Sequence, residues 1–172
     1  MPRRLTHLLT VILALLPLSL PGSDGDARTL SFFHTHTGNG LVVTYYQNGD
    51  YIPAGMQQLR HFLADWRDNK QHDLDPALMD ILWQMQTKAD HAGTWEVISA
   101  YRSPETNTML NKRSNGVAKR SQHLQGKAID VRLRGMDTKN LHQIALDLKL
   151  GGVGYYEESD FVHVDTGRVR RW

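Results

Sequence analysis

Four residues in the last third of the chain have the types and spacing to do chemistry together: His123, Asp130 seven positions on, then Asp160 and His163 three apart. Two imidazoles and one carboxylate are the usual donors of an open zinc site, which keeps one position for water. A second carboxylate nearby is what a general base for hydrolysis would require. Asp130 sits in an otherwise apolar stretch, where an unpaired carboxylate is costly to desolvate and a cation beside it removes that penalty. His163 lies between Val162 and Val164 and shares a strand face with Phe161 and Asp165. Two strands that each offer one inward polar residue imply one shared centre. The chain has no cysteine, so a metal here must be held by histidine and carboxylate. The same absence excludes disulfides, a thiol nucleophile and an acylated lipoprotein cysteine.

The elements that must position these residues follow from periodicity and turn chemistry. Residues 29–33 and 41–47 are β-branched and aromatic, and Gly38-Asn39-Gly40 between them predicts a hairpin. Asn48-Gly49-Asp50 turns the chain again. Met56, Leu59, Phe62, Leu63 and Trp66 mark an amphipathic helix over 54–66. Pro76 opens a second helix with Asp75 as its cap, and Gly93 ends that segment. Residues 95–101 read as a strand, and Ser103-Pro104-Glu105 starts a short helix. Residues 112–122 are polar and basic and read as loop. Residues 127–133 alternate as a strand, with Ala128, Asp130 and Arg132 on one face. A helix over 137–149 and a hairpin of 153–156 with 161–165 complete the chain. No repeat or linker interrupts it. The expected fold is a single α+β domain, a small, mostly antiparallel sheet with packed helices.

At 172 residues the chain can bury a core of its own, and a net charge of +2 gives no nucleic-acid signature. Arg3 and Arg4 precede an apolar run over 8–20, too short to span a bilayer and suited to a signal-peptide core. Residues 1–27 are therefore expected to be a signal peptide and 28–172 the mature domain, exported to the periplasm. An uncleaved anchor is the alternative, and the paired arginines also suit twin-arginine export.

Ser99-Ala100-Tyr101-Arg102-Ser103, Ser121-x-His123-x6-Asp130, Gly154-Tyr155-Tyr156 and Asp160-x-x-His163-Val164-Asp165 together resemble the zinc peptidases of the D-Ala-D-Ala metallopeptidase superfamily. The murein endopeptidases of the MepK/YcbK type are the nearest branch, with which His36-Thr37-Gly38 also agrees. The resemblance runs from residue 29 to the C-terminus. It implies one Zn2+ per chain, held by His123, Asp130 and His163. It implies Asp160 as general base, where some relatives carry Glu, and Arg102 as the group that contacts substrate and steadies the oxyanion. Ser121 is expected to support the ligand His123. Asp165 has two readings, a hydrogen bond to a ligand imidazole or a surface pair with Arg168 or Arg170.

The implied activity is hydrolysis of cross-links between murein stem peptides in wall remodelling. A carboxypeptidase releasing D-Ala, and a zinc-stabilised wall-binding module without catalysis, are the alternatives. A murein peptide is the expected partner, with no nucleic acid, no membrane span once the signal is removed, and a monomer as the default state. Three other features are expected to be structural, and a fourth has two readings. His34 and His36 read as a polar strand face, Gly151 to Gly154 as a turn, and Arg168, Arg170 and Arg171 as a solvated face. Lys112, Arg113, Lys119 and Arg120 read as a solvated loop or the wall of a groove for an anionic substrate.

Overall fold

The computed structural model describes residues 27–113, 118 and 120–172. The expected signal peptide therefore lies outside the described residues except for Ala27, as does Lys119 of the basic run. The strands are β1 (Arg28–His34), β2 (Gly40–Gln47), β3 (Asp50–Tyr51), β4 (Thr94–Ser99), β5 (Ala128–Leu133), β6 (Gly152–Tyr156), β7 (Phe161–Asp165) and β8 (Arg170–Arg171). The helices are α1 (Pro53–Phe62), α2 (Pro76–Lys88), α3 (Pro104–Arg113) and α4 (Thr138–Leu148). All strands join one mixed, mostly antiparallel sheet in the order β3-β2-β1-β4-β5-β7-β6-β8. Only β1–β4 and β6–β8 pair in parallel. The α+β expectation holds. The sheet is wider than the reading implied, because the two-residue strands β3 and β8 carry no alternation of their own.

Local chemistry explains most boundaries. Asp75 caps α2 by accepting from the Ala77 N–H at 3.1 Å, and Pro76 occupies the first helical position. Asp137 caps α4 through the Lys139 and Asn140 N–H groups. Ser103 accepts from the Thr106 N–H at 3.1 Å at the start of α3. That helix runs on to Arg113, so Lys112 and Arg113 are helical rather than loop. α1 is shorter than its pattern: Leu63 closes it, with its N–H on the Leu59 carbonyl, and Trp66 stacks on His36 with ring centroids 4.1 Å apart. His36 lies in the turn after β1, whereas His34 ends that strand and is buried, so the two form no polar strand face.

One sheet face is apolar and the other holds the chemistry. On β6, Tyr155 stacks on His142 of α4 at 5.0 Å, so its neighbours Gly154 and Tyr156 face the other way. Val153, Ile129, Val131, Val162 and Val164 are buried in the core on the α4 side. Asp130, His163 and Gly154 form one cross-strand row on the opposite face. The alternation that buries the valines therefore lines up the polar residues. Among the described residues, no helix is long and apolar enough to cross a membrane.

Candidate metal centre

His123 comes to the row from a single 3-10 turn, Gln122–Gln125. Ser121 caps that turn, its hydroxyl accepting from the His123 N–H at 3.3 Å. Gly126 ends it at φ +63°, where a Cβ would lie 2.2 Å from the Asp73 carbonyl oxygen, so only glycine fits. The turn is tied to the loop after β4 by the Arg102 N–H on the His123 carbonyl at 3.2 Å.

His123 Nε2, His163 Nδ1 and Asp130 Oδ1 converge. The His163–Asp130 separation is 2.8 Å, His123–His163 is 3.3 Å and His123–Asp130 is 3.4 Å. All three residues are buried, and they are a group that could hold a metal ion. A tetrahedral ion with ligands at about 2.0–2.1 Å sets neighbouring donors about 3.3 Å apart, which these separations approach. The outward nitrogens are also committed. His123 Nδ1 donates to the Ala100 carbonyl at 2.6 Å, and His163 Nε2 donates to Asp165 Oδ2 at 2.9 Å. Each bond fixes a tautomer whose lone pair points inward, as metal ligation requires. The donor set and its orientation fit a metal.

Asp165 makes the hydrogen bond to the His163 imidazole and also pairs with Arg170, but it is buried and not at the surface. It is fully buried, and besides His163 it takes Arg170 Nη2 at 2.6 Å and Nη1 at 2.9 Å. Arg170 is thus only partly solvated; it neutralises the carboxylate behind His163. Burial alone would raise the Asp165 carboxyl, but the bonds from His163, Arg170 and the Gly167 N–H hold it well below the usual carboxylate range. Burial opposes ionisation of Asp130 as well, and the two imidazoles beside it outweigh that and lower it. For His163, burial disfavours the charged ring, yet Asp130 and Asp165 on its two nitrogens raise its pKa.

The cluster opens on a cleft of about 740 Å³ lined by Arg102, Arg120, Ser121, Tyr156, Trp172 and others. Arg102 is 9% exposed and its Nε has no hydrogen-bond partner among the described residues. Its Nη1 donates to Asn107 at 3.4 Å, and burial lowers its pKa. A buried guanidinium so weakly satisfied in the free protein is available to an anionic group in the cleft. Asp160 is not brought to this place. It has φ +51°, which takes it out of the β7 alternation. Its carboxylate accepts from Thr138 Oγ1 and faces Arg132 at 3.5 Å, with the side chain 62% exposed. It does not line the cleft.

The family profile described as peptidoglycan L,D-endopeptidase MepK matches residues 23–172. The chain belongs to this family. It is 40% identical over 145 residues to peptidoglycan L,D-endopeptidase MepK of Escherichia coli strain K12, covering 84% of this chain and 80% of that relative. The same figures hold for the protein of that name from Shigella flexneri. The probable peptidoglycan L,D-endopeptidase MepK of Haemophilus influenzae is 40% identical over 151 residues, covering 87% and 81%. No solved structure matches the chain at a significant level. The resemblance drawn from the motifs and the family assignment thus agree.

Tyr156 and Trp172 line the cleft without a role in the sequence reading, and Arg170, read as solvated or as a partner of Asp165, lines it too. Their signal was Gly152 and Gly154, read as a turn but lying in β6. A Cβ at Gly152 would meet the Arg170 guanidinium at 2.1 Å, and one at Gly154 would meet the Trp172 ring at 2.6 Å. Two glycines on one strand face let β8 lay these two side chains across the sheet beside His163.

Proposed function

We propose that the protein is an exported zinc peptidase that hydrolyses peptide cross-links of murein, with one Zn2+ held by His123, Asp130 and His163. The observation that carries this reading is the buried His-Asp-His cluster, oriented from outside by Ala100 and Asp165 and open to a cleft, in a chain of the peptidoglycan L,D-endopeptidase family. Bound zinc supplies Lewis acidity and lowers the pKa of water to about 7. The chain's own groups do the rest. Ser121 and the Ala100 carbonyl hold His123 at a fixed angle, and Asp165 with Arg170 does the same for His163. Arg102 offers fixed positive charge to the oxygen of the amide carbonyl as it becomes an oxyanion. With its carboxylate engaged by Thr138 and Arg132, Asp160 is assigned here as a clasp between α4, β5 and the β6–β7 turn, and not as the base. An endopeptidase is preferred over a D-Ala carboxypeptidase because the chain belongs to the peptidoglycan L,D-endopeptidase family. The periplasm, reached through a leader over residues 1–27, and a monomeric state complete the reading.

Incubating the purified protein with murein and resolving the fragments by mass spectrometry tests this. Conversion of cross-linked dimers to monomers, blocked by a chelator, restored by zinc and absent in His123→Ala, is the expected result. Release of a terminal D-Ala with cross-links intact would make it a carboxypeptidase. A folded, zinc-loaded protein that cuts nothing would be a binding module.

A further inference from the structure

We propose that Tyr156 is a catalytic residue of this cleft, donating a hydrogen bond from its hydroxyl to the carbonyl oxygen of the scissile amide as that oxygen becomes an oxyanion, with Trp172 as its positioning residue. This inference rests on the peptidase reading above. It begins with strand alternation: Tyr155 is turned to α4, so Tyr156 stands on the metal side of the sheet. There its ring stacks on Phe161, its cross-strand partner, with centroids 4.5 Å apart and planes 17° from parallel. That contact fixes the ring and leaves the hydroxyl as the variable end.

Trp172 supplies the second restraint. Its indole lies over Gly154 with its centroid 5.1 Å from that of His163, and its Nε1–H donates to the Tyr156 oxygen at 3.0 Å. Indole nitrogen can only donate, so Tyr156 is the acceptor in this bond and keeps its own proton for another group. No described residue takes that proton. The hydroxyl is therefore a donor held in place by the ring that also covers a ligand histidine, in a cleft it shares with the metal cluster. Arg102 lines the same cleft within electrostatic reach of Tyr156. Together they offer a neutral donor and a cation to one developing negative charge. A preorganised donor of this kind acts on the transition state more than on the bound substrate.

Tyr156→Phe keeps the ring and its stack on Phe161 and removes only the hydroxyl. The expected result is a fall in kcat of at least about tenfold, toward the 10²–10³ range seen when an oxyanion donor is removed. KM and zinc affinity should stay within about twofold. A readout free of turnover is calorimetric binding of a phosphinate isostere of the cross-linked peptide, whose tetrahedral oxygens mimic the oxyanion. Tyr156→Phe should weaken it by a factor comparable to the loss in kcat, while binding of the product peptide is unchanged. Trp172→Phe should lower kcat in the wild-type background and add little to Tyr156→Phe, because both act through one hydroxyl. If Tyr156→Phe cuts murein and binds the phosphinate within twofold of an active wild type, the assignment of Tyr156 is overturned and the peptidase reading stands. If Trp172→Phe loses as much in the Tyr156→Phe background as alone, its role as positioner of that hydroxyl is overturned. A wild type that neither cuts murein nor binds the phosphinate overturns both readings together.

Discussion

Replacing Asp165 by asparagine separates what this residue does for the metal from what it does for the fold. The carboxylate is fully buried, and its oxygens accept from His163 Nε2, both Arg170 Nη atoms and the Gly167 and Gly152 N–H groups. An amide of the same shape has one acceptor oxygen, and its NH2 must confront either Arg170 or His163, both donors. If His163 loses its charged acceptor, the ring is less basic and less firmly oriented. Loss of such an outer partner lowers metal affinity by about 10–100-fold, or about 1.4–2.7 kcal/mol. The fold is affected independently through Arg170. Breaking a buried ion pair from one side costs about 3–5 kcal/mol. Arg170 keeps 28% of its side chain in solvent, so the lower end, about 3 kcal/mol, applies. For a domain of this size that lowers Tm by about 6–12 °C.

Zinc affinity by chelator competition and Tm of the metal-free protein measure the two effects apart. Arg170→Gln serves as the reference: it should destabilise the fold while zinc affinity stays within about threefold, because Asp165 still faces His163. Zinc binding by Asp165→Asn within twofold of wild type would refute the argument that the outer bond of His163 tunes the site.

Zinc must displace the proton that Asp130 and Asp165 hold on His163, whose pKa lies above its ordinary 6.5. Zinc affinity should therefore rise about tenfold per pH unit up to that raised pKa and then level, measured by calorimetry in buffers of different ionisation enthalpy. The same raised pKa stabilises the metal-free fold fully below pH 6.5, and that contribution should fade in urea melts as pH rises through the folded value. Asp160→Asn should retain murein hydrolysis within about threefold and lose at most about 1 kcal/mol of stability, since its pair with Arg132 is exposed; a hundredfold fall in kcat would restore the base role to Asp160. Gly154→Ala drives a methyl into the Trp172 ring, at an overpacking cost of about 1–3 kcal/mol. Tryptophan fluorescence should change and kcat fall while zinc still binds, and an unchanged emission spectrum with full activity would count against the seating of Trp172 over Gly154.

Residue types and short spacings were enough to read the His-Asp-His cluster that could hold a metal. Asp130 and His163 stood out because a buried polar residue in an apolar strand needs a partner, and His123 joined them through its Ser-x-His-x6-Asp spacing. The same local rules gave the cap of α2, the hairpin of β6 and β7, and the alternation that turns Asp130 and His163 to one face. They do not reach a residue that leaves the regular backbone. Asp160, which the resemblance implies as the base, has φ +51°, and its carboxylate faces Thr138 and Arg132. Arg170 escapes a local reading for a related reason, since β8 is too short for any period to show, while Arg168 and Arg171 are exposed as expected.

The sequence by itself determined most of the longer elements, the strand faces of Asp130 and His163 and the chemistry of the candidate metal donors, since periodicity, caps and side-chain chemistry act over a few residues. The strand order belongs to the tertiary structure alone. It seats β5 beside β7, 33 residues apart at the Asp130–His163 contact, and closes a parallel pair between β1 and β4. It also brings Arg170 behind His163 and the Trp172 indole to the Tyr156 hydroxyl. Those contacts depend on which edges remain free once the core has packed; Gly152 and Gly154 leave room for them above β6, but nothing local says which side chains fill that room.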